Sequence, residues 1–255
     1  MTAMDVQRSW LIAVAAAVAA PAAAQTLAER VADAQSGSVR LSFAARDGVC
    51  GDGHGVWTRS HGDKDWSPVC DDGPVRVQIE RDGTRIVRIR THVGGSWQPR
   101  DDVTTLGDVD AAEASAFFLD VAVTARPSVA EDAIVAAVMA DAPDPWRRLL
   151  ALARDDALHE DVREQAMFWL GQSAAREATE GLAAIVNDDA TTEVQKAAVF
   201  ALSQRDEPER IDRLIDVARR HRNPEVVEAA LFWLADSADE RAVDLFEELL
   251  GGETR

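Results

Sequence analysis

From residue 162 onward the chain copies itself. Val162, Val194 and Val226 recur at a constant step of 32 residues, and the same step links Ala166, Ala198 and Ala230. It links Phe168, Phe200 and Phe232, and also Leu170, Leu202 and Leu234. It continues through Leu182, Leu214 and Phe246, and through Ile185, Val217 and Leu249. Columns kept in phase over successive units restrict the fold to a repeat architecture, in which no unit buries its apolar face alone. Each unit reads as a helix, a short turn and a second helix. A degenerate earlier copy runs from Ile134 to Ala140, breaks at Pro143-Asp144-Pro145 and resumes from Trp146 to Arg154.

At about 100° per residue, Val162, Ala166, Trp169 and Leu170 share one helix face. Met167 and Phe168 fall outside it, yet their columns stay apolar through Val199 and Leu231 and through Phe200 and Phe232. Neighbouring repeats on either side account for that, and both columns are expected to be covered. Only a narrow strip stays polar or small: Glu164, Lys196 and Glu228, then Gly171, Ser203 and Ala235. His159, Thr191 and Asn223 stand at equivalent helix starts, and Asn223 precedes Pro224, a residue suited to the first turn.

The first helix of the first full unit carries Val162-Arg163, Ala166 and Leu170-Gly171. This pattern resembles HEAT repeats, most closely the short kind grouped with phycobilisome-lyase-type HEAT-like repeats. The second unit has Val194, Ala197-Ala198 and Ala201-Leu202; the third has Val226, Ala229-Ala230 and Leu234. Both lack the glycine. The resemblance implies a right-handed α-α superhelix and an interaction or scaffold role. It supplies no residue for a lyase reaction.

Within residues 1–24, Arg8 precedes an apolar, alanine-rich run from Trp10 through Ala24, closing on Ala22-Ala23-Ala24 before Gln25. That is the pattern of a cleaved signal peptide, with a retained anchor as the alternative, and it places the protein in the periplasm or outside the cell. In an oxidising compartment the two cysteines, Cys50 and Cys70, are most simply a disulfide.

Residues 25–105 read as a small β-rich domain. Thr26–Gln35 suits a short helix, and Val39, Leu41, Phe43 and Ala45 alternate as in a half-buried strand. Val75–Glu80 and Val87–Val93 form a hairpin around Asp82-Gly83. A three-residue loop, Arg81-Asp82-Gly83, pairs Val77 with Val87 and Val75 with Ile89, with Gly83 left-handed. Arg76, Arg88 and Arg90 then face solvent. Residues from Gly94-Gly95 to about Asp108 read as connector.

Helical repeats follow over 109–255, with pairs near 110–140/145–155, 160–172/178–187, 192–203/208–220 and 224–236/239–250. Asp110 with Glu113, and Ser128 with Glu131, have capping-box spacing.

A net charge of -18 argues against a nucleic-acid partner and leaves a protein partner, without stable membrane insertion once the signal is removed. The dense basic cluster Arg219-Arg220-His221-Arg222 and the acids Asp212, Asp216, Asp244, Glu247 and Glu248 on the second helices are the candidate partner-binding residues. No catalytic residue, metal or cofactor is assigned. A single His159-Glu160 pair cannot assemble a di-iron site. Cys50, Asp52, His54, His61 and Cys70 lack paired zinc-knuckle spacing. The Gly51-x-Gly53-x-Gly55 run opens no helix. The alternative to a scaffold is a small-molecule- or metal-binding enzyme around the Cys50–Cys70 loop with Trp57, Trp66 and Trp97. The fold class is therefore α+β.

Overall fold

The computed structural model describes residues 25–54, 57–58, 71–143, 145–172, 176–187, 191–205 and 209–251. The chain begins with α1 (Leu27–Ala32). The Thr26 hydroxyl accepts the Glu29 N–H, and the Glu29 carboxylate accepts the Thr26 N–H at 2.8 Å. This reciprocal pair satisfies two orphan donors of a helix too short to persist alone.

Four strands follow in the order β5-β4-β1-β6: β1 (Ser38–Phe43), β4 (Val75–Asp82), β5 (Arg85–Val93) and β6 (Thr104–Asp108). Between β1 and β4 in sequence, β2 (Val49–Cys50) and β3 (Trp57–Thr58) form a separate antiparallel pair. β1 is a central strand, antiparallel to β4 and parallel to β6. It is buried on both faces rather than one. Val39, Leu41 and Phe43 lie opposite Ile79, Val77 and Val75, all nearly inaccessible. The Phe43 and Phe118 ring centroids are 6.2 Å apart where the sheet meets the helices.

Three local expectations are corrected. The hairpin pairs Ile79 with Ile89, Val77 with Thr91 and Val75 with Val93, and its loop is Gly83-Thr84 between Asp82 and Arg85. The turn therefore falls later in the chain than the sequence reading places it. An irregularity then leaves Val87 without a direct partner, and that extra residue moves the pairing one step further. Gly83 is left-handed at φ 62° as anticipated, but in a different loop. The connector toward Asp108 ends in β6, because Thr104–Asp108 finds the free edge of β1. Arg76 is buried rather than solvated.

The span expected near 110–140 is two helices, α2 (Ala111–Thr124) and α3 (Pro127–Val138). Pro127 lacks an N–H and forces Arg126 into extended backbone (φ -63°, ψ 154°), so the break falls there. Ser128 is therefore inside the first turn and is not the N-cap. Asp110 does cap α2 through the Glu113 N–H at 2.9 Å. The Glu113 carboxylate does not reciprocate; it accepts the Leu27 N–H at 2.6 Å and docks α1 onto α2. Glu113→Ala is expected to fray α1 and cost about 1 kcal/mol, read as faster hydrogen exchange over α1 with α5 to α10 unchanged.

The helical array continues through α4 (Trp146–Arg154), α5 (Glu160–Gly171), α6 (Arg176–Asn187), α7 (Thr192–Ser203), α8 (Glu209–Arg220), α9 (Pro224–Asp236) and α10 (Glu240–Gly251). His159, Thr191 and Asn223 cap α5, α7 and α9 with side-chain acceptors. The columns Val162, Val194 and Val226, and Leu170, Leu202 and Leu234, are buried. One contiguous core runs from Leu27 in α1 to Leu245 in α10. The sheet joins it at the two ends of α3: the carbonyl of its C-cap Met139 accepts the N–H of Arg46, just after β1, at 3.0 Å, and its N-cap Arg126 donates to the Val87 carbonyl at 2.7 Å.

Candidate interaction surfaces

The second-helix surface holds the charged residues singled out from sequence. Asp212, Asp216, Arg219 and Arg220 on α8 and Asp244, Glu247 and Glu248 on α10 are all exposed, as is Arg222 just after α8. Several of them engage one another. Arg219 pairs with Glu248, Arg220 reaches Asp216 at 3.4 Å, and Arg241 reaches Asp212 at 2.9 Å. The first and last of these contacts tie α8 to α10, and each exposed pair contributes roughly 0–1 kcal/mol. Arg241 also holds Asp239 at the turn before α10, and its hydrogen bond pulls that carboxyl down to about 2. His221, inside the basic cluster, has Nε2 3.0 Å from the Val186 carbonyl of α6.

The first-helix surface carries what sequence reasoning missed. Phe168 and Trp169 on α5, Phe200 on α7, and Phe232 and Trp233 on α9 form one aromatic ladder. Phe168 stacks on Phe200 at 6.4 Å with planes 15° apart, and Phe200 meets Trp233 at 5.1 Å. Trp169 and Trp233 meet their neighbouring Phe rings edge-on, at 5.1 and 5.0 Å. The Phe column was expected to be covered by adjacent repeats. Instead Phe168 is 37% and Phe232 63% exposed. The wheel explains this, because residue 168 lies about 40° from Glu164, on the strip read as polar. Gly171, assigned to that strip, is buried instead: a Cβ there would stand 2.8 Å from the Ala201 carbonyl oxygen of α7. A 32-residue aromatic column on an outward position was the signal available.

Repeated helix pairs, caps in phase and buried columns in phase meet an independent finding here: residues 147–230 match the family of HEAT repeats. The C-terminal half is a HEAT-like repeat region. No match to the chain was found among curated proteins. The HEAT repeats fit a protein-interaction scaffold, and their surfaces, rather than their core, are where such a role resides.

The HEAT stack also carries an acidic ridge. Burial raises the Glu164 carboxyl above its ordinary value, and Glu160, Asp161, Glu193 and Glu131 add to the shift. A carboxyl raised in the folded state binds its proton more readily there than in the unfolded chain. The penalty is therefore present at neutral pH and is relieved as pH falls through the raised value. Glu164→Gln is expected to gain less than about 1 kcal/mol at pH 7, and that gain should vanish in acid. Denaturant melts at both pH values read it.

In the N-terminal sheet, Cys50 is fully buried, while Cys70, His61 and Trp66 lie outside the described residues. So do residues 1–24, where the signal peptide was expected. Gly51 and Asp71 exchange backbone hydrogen bonds at 3.1 and 2.9 Å, bringing the chain on either side of the loop together. Trp97 lies against two guanidinium groups, Arg40 at 4.5 Å and Arg76 at 4.7 Å. Arg76 donates to the carbonyls of Gly94 at 2.6 Å and Gly53 at 2.7 Å. Arg40 donates to the side-chain oxygen of Gln78 and the backbone carbonyl of Gln98. Burial lowers both arginine pKa values. The arrangement closes the second face of the sheet by cation–π and carbonyl contacts. Among the described residues no group of three potential metal ligands occurs, and no helix is long and apolar enough to cross a membrane.

Proposed function

We propose that this protein is an exported scaffold that docks another protein on the first-helix face of its HEAT-like stack. The observation that carries the reading is the aromatic ladder. Rings from α5, α7 and α9 are held in mutual contact, so little side-chain entropy is lost on binding, yet two of them stand open to solvent. Rigid, partly exposed aromatics are the residues that dominate interface energetics. The charged second-helix surface is the weaker candidate, since Arg219 and Arg220 are already engaged with carboxylates of the same surface.

Export and a Cys50–Cys70 disulfide belong to the same reading. They are supported by the leader-like pattern of residues 1–24, by the complete burial of Cys50, and by the lack of any free cysteine among the described residues. Fractionation with intact-mass measurement should find a mature chain starting near Gln25 and about two mass units lighter than its reduced form. A cytoplasmic chain retaining residues 1–24 would remove the export claim.

For docking, Phe168→Ser with Phe232→Ser is expected to weaken capture of envelope proteins by roughly tenfold or more. The melting temperature should fall by far less than for a core change, because Phe232 is largely exposed and Phe168 keeps about a third of its surface open. If capture survives that change and is lost with Arg219, Arg220 and Arg222 changed to Glu, docking lies on the second helices instead.

A further inference from the structure

Among the described residues, the α9–α10 repeat exposes an apolar side that the earlier repeats bury. On α10, Arg241 and Glu248 reach back to α8. At about 100° per residue, Val243 and Leu250 lie within about 20° of one another on the side turned away from α8. Val243 is 53% exposed, whereas its counterpart one repeat earlier, Ile211, is 2% exposed. Leu250 is 74% exposed, whereas Val186, its counterpart two repeats earlier, is completely buried. On α9 the matching side carries Val227, Leu231 and Ala235. Gly171, the counterpart of Ala235, packs against the following repeat's Ala201, and Met167 and Val199, the counterparts of Leu231, are inaccessible. In α9 that inaccessible position, Leu231, is only partly buried.

The end face is also more apolar than the interfaces inside the stack. Val227 stands where the earlier repeats have Arg163 and Gln195, and Ala235 stands where the preceding repeat has Ser203. A terminal repeat facing only water is under the opposite pressure, toward polar residues on its outer side. Around this face stand Glu228, Glu240, Asp244 and Glu247, all exposed carboxylates. The cation nearest them in sequence, Arg241, is turned to Asp212 and Asp239.

We infer that the open α9–α10 end is a docking face for a cationic amphipathic helix of a partner protein, with lysines or arginines flanking an apolar stripe. The stripe covers Val227, Leu231, Val243 and Leu250 as a following repeat would, and the basic flanks meet the carboxylate rim. A second copy of this chain fits less well, because it would set two acidic rims against each other. This deepens the scaffold reading and rests on it, and it adds a surface distinct from the aromatic ladder.

The test uses two synthetic peptides of identical leucine and lysine content, one patterned as an amphipathic helix and one scrambled. Their binding to the full chain is followed by anisotropy, and the contact is mapped by hydrogen exchange. The patterned peptide is expected to bind at least about tenfold tighter than the scrambled one, a difference of about 1.4 kcal/mol. Protection should be confined to α9 and α10. Val243→Ser with Leu250→Ser should remove the preference; Glu240→Gln with Glu247→Gln should weaken binding at low salt but not at high salt.

Equal binding of the two peptides, or a preference that survives the serine changes, overturns the inference. Sedimentation is measured in parallel. Concentration-dependent dimers that the serine changes abolish would assign the face to a second copy and overturn it equally. Continued capture through Phe168 and Phe232 while the peptide test fails would remove the end face alone and leave the scaffold reading standing.

Discussion

Replacing Arg205 with alanine is expected to destabilise the fold by about 3–5 kcal/mol, a loss large enough to threaten folding altogether. Arg205 sits in the turn between α7 and α8, yet it is only 2% exposed and heads the fully buried side chains by volume. Its Nε donates to the Thr179 hydroxyl at 2.9 Å on α6, and Nη1 donates to the Leu170 carbonyl at 3.0 Å at the end of α5. Its own carbonyl accepts from Arg210 on α8 at 2.6 Å. One side chain thus joins two helices of one repeat to the next. Truncation removes the guanidinium from a buried carbonyl and a buried hydroxyl, losing both charge-assisted hydrogen bonds, and opens a cavity. Arg205→Met retains most of the stem and isolates the hydrogen-bonding part, expected at about 2–3 kcal/mol. Denaturant unfolding reads both. Because repeats couple mainly to their neighbours, hydrogen exchange should show accelerated opening of α5 to α8 before α2 and α3. A loss below about 1 kcal/mol for Arg205→Ala would mean that water replaces the guanidinium, and the bridging role would fall.

Gly171→Ala sets two effects against each other. Alanine is the better helix former by about 1 kcal/mol, and Gly171 is the last residue of α5. Against that, the new Cβ would lie 2.8 Å from the Ala201 carbonyl oxygen and 3.1 Å from its Cα. Both are backbone atoms of α7, so relief requires the two helices to separate rather than a side chain to turn. Overpacking of this kind costs about 1–3 kcal/mol, and with the propensity gain reduced at a helix end, crowding wins. A net loss of about 1–2 kcal/mol is expected for alanine, and more than about 3 kcal/mol for Gly171→Val. Ser203→Ala, at the equivalent position of α7, is the control and should change stability by less than about 1 kcal/mol. A Gly171→Ala protein that melts higher than the parent would show that propensity outweighs the close approach. The same close approach bears on the surface, since it sets how near α5 and α7 lie where Phe168 stacks on Phe200.

The repeat region was legible because its evidence is periodic. A column such as Val162, Val194 and Val226 is constrained by the same packing three times over, so helix identity, caps and buried faces emerge without knowing any contact. His159, Thr191 and Asn223 fell into line as caps for the same reason. The sheet region has no such redundancy. The hairpin register depended on where the turn falls and on one irregularity near Val87, which local alternation does not encode. β6 is a strand only because β1 leaves an edge beside it. Glu113 had the spacing of a reciprocal cap but serves another helix, since α1 brings the Leu27 N–H within its reach.

From residue order alone the chain was determined to be an acidic α+β protein whose second half is a HEAT-like stack. That much follows because helix periodicity and repeat phase are local properties of the sequence. Tertiary structure decided how far each apolar column meets water. The wheel sets Phe168 beside the polar strip, but only the placement of neighbouring helices makes its column run from 37% exposed at Phe168 to 63% at Phe232. It likewise decided that Arg205 is interior, that Arg76 and Arg40 close over Trp97, and that Val243 and Leu250 stand exposed among the described residues. Burial is a property of what else arrives at a position, and sequence spacing specifies the position without naming the neighbour.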